Sequence, residues 1–162
     1  MVRELNTKNY KTERKGFDIL EEKLPNFYVP SLEEKKFILD LLGIDHRYSR
    51  TFDGILLKVD SVDKIKNFKD FTMIEVKTTK QVLDDFPSKF FFGMTLNEES
   101  FLKIFRNNYL LCLVGVTQRE FKLLNFDELD ELIHNNRTQF NINIKWKKEI
   151  NPHHQQNSVT VE

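Results

Sequence analysis

The chain has 162 residues, enough for one domain with a real hydrophobic core, and 40% of them are apolar, which excludes a disordered composition. Lys and Arg (25) balance Asp and Glu (25), so overall charge announces no nucleic-acid partner and any basic footprint must be local. The longest apolar run is about eight residues against the roughly 20 a spanning helix needs, and no charged-then-apolar leader opens the chain, so a cytoplasmic protein is expected.

Residues 1 to 12 are polar and read as loosely held. Lys15 to Leu24 reads as a helix, with Phe17, Leu20 and Leu24 on one face and Pro25 ending it. Asn26 to Val29 reads as a short strand. Ser31 and Glu34 form a capping-box pattern that opens a second helix, whose apolar stripe is Phe37, Ile38, Leu41 and Leu42 and whose stop is Gly43. Thr51 to Val59 and Phe71 to Lys77 are the two clearest strands, joined by a polar connection over 64–70. Phe90 to Gly93 is a short strand or a packed loop.

Thr95 to Asn107 reads as a helix with Phe101, Ile104 and Phe105 inward. Tyr109 to Val116 is a near-continuous apolar run, the pattern of a strand buried on both faces. It carries the single cysteine, Cys112, a buried thiol that excludes an intrachain disulfide. Phe121 to Leu124 is expected to pair beside it, and Phe126 to His134 is a short acidic helix. Phe140, Ile142, Ile144 and Trp146 alternate with polar residues as in a half-buried strand. The expected architecture is α/β, a mixed sheet flanked by helices, in one domain over 1–148 with a disordered tail over 149–162.

Two acids stand inside apolar strand patterns: Asp53 in Phe52-Asp53-Gly54-Ile55-Leu56-Leu57, and Glu75 in Met73-Ile74-Glu75-Val76-Lys77-Thr78-Thr79. The tripeptide Glu-x-Lys also begins at Glu13, Glu21, Glu33, Glu34 and Glu120. Those in charged or helical surroundings read as solvated faces. The copy at Glu120 has no strand-borne acid before it, so context singles out Glu75. Residues two apart in a strand share a face, so Glu75 and Lys77 point one way and Val76 points into the core. With Asp53 on the neighbouring strand, two carboxylates and an ammonium converge. Magnesium takes oxygen ligands and keeps several waters, and Asp53, Glu75 and the Val76 carbonyl supply such oxygens. Lys77 then orients a water or offsets charge on a reacting phosphate. The plain alternative is a cross-strand salt bridge at a sheet edge.

Phe52-Asp53-Gly54 followed by Ile74-Glu75-Val76-Lys77-Thr78-Thr79 resembles the PD-(D/E)XK nuclease superfamily, whose fold is restriction-endonuclease-like. In element order the resemblance covers residues 16 to 116. It implies that Asp53 and Glu75 are metal ligands and Lys77 the catalytic lysine. The sequence departs from the family pattern in having Phe52 where a proline is typical, and in an extra helix over 31–42. The resemblance further implies an acid from an early helix, for which Glu21 and Glu34 are the candidates.

Further candidates for DNA contact are Thr78, Thr79 and Lys80 after the motif, Lys103 and Arg106 on the later helix, and Arg47 and Arg50 in the loop before Asp53. Thr95-x-x-Glu98 reads as a capping box. His46, His153 and His154 lack the spacing of a histidine metal site. No Gly-rich phosphate loop, Cys-x-x-Cys pair or Gly-x-Ser-x-Gly elbow is present in the sequence. The expected activity is magnesium-dependent hydrolysis of DNA phosphodiester bonds, with manganese able to substitute, in a restriction-type or defence nuclease acting as a homodimer. The alternatives are a repair or junction nuclease, and a catalytically inactive nuclease fold that binds DNA or serves assembly.

Overall fold

The computed structural model describes residues 2–133, those before Tyr10 through their backbone alone. Helix α1 (Val2–Lys23) is longer than the apolar spacing predicts, because the segment expected to be loose forms its first turns. That segment has no proline and no glycine before Gly16, so helix-forming Arg, Glu, Leu and Lys residues extend the helix without an apolar stripe. Ile19 and Leu20 are its buried apolar side chains among the described residues.

Strand β1 (Phe27–Tyr28) is short. Helix α2 (Leu32–Leu41) starts at the expected capping box and stops before Gly43, whose φ of 66° suits glycine. It buries Ile38 and Leu39, while Phe37 is 43% exposed rather than part of the stripe. Phe37 lines a cleft with Tyr28, Leu57 and Val62 at the side of the helix.

Strand β2 (Gly54–Leu57) covers less than the expected 51–59. Asp53 stands immediately before it, and its side chain takes a β3 backbone N–H that a longer strand would have paired. Strand β3 (Phe71–Thr79) is the longest strand and is buried through Val76. A loop containing Phe90–Gly93 leads to helix α3 (Leu96–Phe105), which buries Phe101 and Leu102. Ile104, expected inward, is 70% exposed because Leu102 occupies the sheet-facing position beside Phe101. Strands β4 (Tyr109–Gly115) and β5 (Glu120–Leu124) and helix α4 (Phe126–Leu132) follow. The expected strand over Phe140–Trp146 and the tail, with His153 and His154, lie outside the described residues.

The fold is α/β, with a five-stranded mixed sheet in the order β1-β2-β3-β4-β5, flanked by helices. β1, β2 and β3 pair antiparallel, β4 runs parallel to β3, and β5 returns antiparallel to β4. The parallel step requires a crossover, which the loop and α3 supply. Alternation divides β3 between two packed faces. Ile74 and Val76 join Ile19 and Leu20 under α1, together with Cys112 and Val114. Met73 joins the opposite cluster, which takes Ile38 and Leu39 from α2 and Phe101 and Leu102 from α3. Both faces of β4 are covered, as its apolar run predicts. No helix among the described residues is long and apolar enough to cross a membrane.

Candidate active site

Where β2 begins, β3 continues past it. The last registered pair is Gly54 opposite Ile74, and Asp53 stands just before it. The Asp53 N–H donates to the Ile74 carbonyl at 2.8 Å. Two residues along, strand alternation turns the Val76 peptide groups to the same edge, and its N–H donates to Asp53 Oδ2 at 2.8 Å. The Asp53 carboxylate is therefore fixed against the side of β3.

Glu75 and Lys77 share the face of β3 opposite Val76. Lys77 Nζ lies 2.7 Å from Glu75 Oε1 and 3.0 Å from Glu98 Oε2. Glu98 sits in the first turn of α3, where its Oε2 also accepts from the Thr95 N–H at 2.8 Å and its own N–H donates to Thr95 Oγ1 at 3.2 Å. The capping box is real, and the same glutamate also faces the cluster. Glu75 is 5% exposed and Glu98 7%. The second Glu75 oxygen, Oε2, is buried without a hydrogen-bond partner. An orphaned carboxylate oxygen in the interior is costly and calls for a proton or a cation.

Burial raises the Glu75 carboxyl to about 9, with the Asp53 charge pushing the same way and the Lys77 ammonium opposing. Burial also raises Asp53, offset in part by the Val76 N–H and by Lys35 and Lys77. Burial pulls the Lys77 ammonium down, but Glu75 and Glu98 outweigh it and hold the group above its ordinary value.

Two further residues enter the same field. Lys35 of α2 donates to the carbonyl of Phe52 at 2.7 Å and lies 5.2 Å from the centre of the Phe52 ring. Burial lowers its ammonium, against the pull of Asp53, Glu75 and Glu13. Glu13 of α1 is raised by burial and then by the Asp53 charge. Fully ionised, the four carboxyls of Glu13, Asp53, Glu75 and Glu98 outnumber the ammoniums of Lys35 and Lys77 by two charges. One divalent cation would balance them.

The structure thus brings Asp53, Glu75 and Lys77 together, with the Val76 peptide on the same edge. It does not bring Glu21 or Glu34. Glu21 lies on an exposed flank, 3.8 Å from Arg14. Glu34 is occupied by the Ser31 N–H at 2.7 Å and the Tyr28 hydroxyl at 2.9 Å, and the Ser31 N–H leads in holding its carboxyl below the ordinary range. Glu13, Lys35 and Glu98 take part instead, and one signal unites them. Glu13 precedes Phe17 and Leu20 by four and seven residues, Lys35 precedes Ile38 and Leu39 by three and four, and Glu98 precedes Phe101 and Leu102 likewise. Each is a charge one turn before a buried stripe, on the stripe's own face.

The expected DNA-contact residues divide. Lys103 is paired with Glu99 and Arg106 with Asp127, and both cations lie over the Phe126 ring, so this pair belongs to a solvated helix face. Thr78 turns toward α1, where a Cβ at Gly16 would meet its methyl group at 2.6 Å. Thr79 Oγ1 accepts from the Gln81 N–H at 3.2 Å. Arg47 is exposed but stacks 4.9 Å from the Tyr48 ring centre. Arg50 and Lys80 are exposed.

No family model, curated protein or solved structure matches this chain. The donor chemistry must therefore speak for itself. Among the described residues no group of three or more His, Cys, Asp or Glu side chains is arranged to hold a metal. Two adjacent carboxylates, one with an orphaned oxygen, and a backbone carbonyl at the same edge fit a hard cation that keeps part of its water shell, as magnesium does.

Proposed function

We propose that this protein is a magnesium-dependent endodeoxyribonuclease of the PD-(D/E)XK type, with manganese able to substitute, and that it serves in restriction or defence. The observation that carries the reading is the orphaned Glu75 Oε2, buried in a cluster with Asp53 and Lys77. The element order supports it as well: a helix, an antiparallel run through β3, then a helix and a strand parallel to β3.

When bound, magnesium would polarise a phosphodiester and lower the pKa of an attacking water. The chain's part is to hold and balance that charge. Asp53, Glu75 and the Val76 carbonyl are the ligands. Glu75 and Glu98 hold the Lys77 ammonium charged, so it can offset negative charge developing on the phosphate. Lys35 fixes the backbone carbonyl immediately before Asp53 and so orients that ligand. One such site cuts one strand, and cutting a duplex calls for two copies of the chain.

One observation favours a second reading. Lys77 already has two carboxylate partners, as in a purely structural ion-pair network. That would make the protein an inactive nuclease fold that binds DNA or serves assembly. Incubation of supercoiled plasmid with magnesium, or with EDTA, separates the two. Cleavage that needs magnesium and disappears in Lys77→Ala supports the nuclease. An intact plasmid with every divalent metal tried, from folded protein, supports the inactive module. Mapping cut ends on DNA of known sequence then distinguishes a restriction enzyme, which gives discrete sites, from a nuclease that nicks at random.

A further inference from the structure

A second feature lies on the α1 side of the sheet. A cavity of about 380 Å³ is walled by Lys15 and Asp18 of α1, by Lys80 just past β3, and by Thr117 and Arg119 of the β4–β5 turn. Its charges are unevenly satisfied. Asp18 lies 3.1 Å from the Arg14 guanidinium, which also reaches Glu21 at 3.8 Å. Arg119 is paired with Glu22 and its carbonyl accepts from Lys23 Nζ, which hold it at a φ of 57°, a region few non-glycine residues occupy. The Thr117 hydroxyl donates to the Lys80 carbonyl at 2.7 Å and fixes the backbone there. Lys15 and Lys80 have no ion pair among the described residues. Two ammoniums thus border one cavity, whose apolar wall is Ile19 and Val116, in a chain of zero net charge.

We propose that this cavity binds a backbone phosphate of the nucleic-acid substrate, away from the bond that is cut. The inference rests on the nuclease reading for its substrate. Position argues for a polymer phosphate over a free anion. Lys80 is three residues beyond Lys77, a reach of at most about 11 Å along an extended chain. Lys15 is two residues beyond Glu13 on the same helix. The elements that bring Lys77 and Glu13 to the cluster therefore also carry the two lysines. The bound phosphate is thus one a few nucleotides along the strand from the reacting one. Such contacts fix register and carry no sequence information.

The test measures binding of a fluorescent 30-base-pair duplex to Lys77→Ala protein in magnesium over a range of salt, with and without Lys15→Gln and Lys80→Gln together. The expected result is affinity several-fold weaker at 0.1 M salt, with the slope of log K against log salt reduced by about 0.9, the loss of one phosphate contact. Lys103→Gln, whose parent lysine is already paired with Glu99, should leave the slope unchanged. An unchanged slope in the double variant overturns the proposal. So does inorganic phosphate raising the melting temperature of the parent but not of the double variant while duplex affinity stays equal, which would mark a free-anion site. Plasmid cleavage by the wild-type chain is read separately. Cleavage with an unchanged slope rejects the cavity and leaves the nuclease standing. A reduced slope without cleavage by any metal rejects the nuclease and leaves the cavity.

Discussion

The Lys77 ammonium lies 3.0 Å from Glu98 Oε2, which ties β3 to the first turn of α3 and closes the base of the crossover loop. The same oxygen accepts the Thr95 N–H, so one carboxylate serves both a helix cap and an interior ion pair. Glu98→Ala should cost about 2–4 kcal/mol, a cap of about 1 kcal/mol plus the loss of a buried partner. Glu98→Gln keeps an acceptor for Thr95 and should cost clearly less. Urea denaturation of the two variants measures the difference. Equal small losses, of the size usual for surface changes, would mean that Glu98 is only a cap.

The raised carboxyl of Glu75 gives the protein a pH dependence of definite sign. Below its ordinary value of 4.5 the folded and unfolded chains both hold the proton. Between there and about 9 the unfolded chain is ionised while the folded chain keeps the proton, so folding takes up protons and stability falls as pH rises. Above about 9 this contribution levels off. Glu13 and Asp53, also raised, act in the same direction from their own ordinary values upward. The raised Lys77 stabilises throughout this range and loses its contribution only above its ordinary 10.5. Urea midpoints at pH 5, 7 and 9 should therefore decline, and Glu75→Gln should flatten the decline. A wild-type midpoint that rises across this range would contradict the protonated, buried Glu75.

Magnesium should reverse that trend. A bound divalent cation needs ionised carboxylates and so competes with the proton on Glu75. The rise in melting temperature on adding magnesium should be small at pH 6 and larger at pH 8.5, and should disappear in Asp53→Asn. An Asp53→Asn protein that keeps the full shift would remove Asp53 from the ligand set.

The residues of the cluster were not equally legible in the sequence. The mixed sheet was, because β4 is a run of apolar residues long enough to need cover on both faces, because β3 carries Phe71, Met73, Ile74 and Val76, and because Ser31, Thr95 and Gly43 mark helix ends by local chemistry. Asp53, Glu75 and Lys77 stood out as charges inside such runs. Glu13, Lys35 and Glu98 did not, because a charge on a helix is ordinarily a sign of solvent. Glu98 was harder still, since its capping role is genuine and accounts for the residue without the ion pair. The first turns of α1 escaped for the converse reason: they form on helix propensity, with no apolar spacing to reveal them. Asp53 also shortens β2, because a side chain that takes the Val76 N–H does the work of a strand backbone.

Gly16 decides how closely α1 lies on β3, and hence where Glu13 and Lys15 stand. In an exposed helix interior, alanine in place of glycine would stabilise by about 1 kcal/mol. Here the added Cβ would meet Thr78 Cγ2 at 2.6 Å and approach Val76 Cγ1 at 3.9 Å. Threonine is branched at Cβ and turns away only by changing a restricted rotamer, so the helix itself must move. Gly16→Ala should therefore destabilise by about 1–2 kcal/mol in spite of its propensity. Thr78→Ser removes the obstructing methyl group. Adding Gly16→Ala to Thr78→Ser should then stabilise that variant rather than destabilise it. Thermal unfolding of the four proteins gives the coupling between the two sites. Additive effects would mean that the methyl group of Thr78 is not what holds position 16 to glycine.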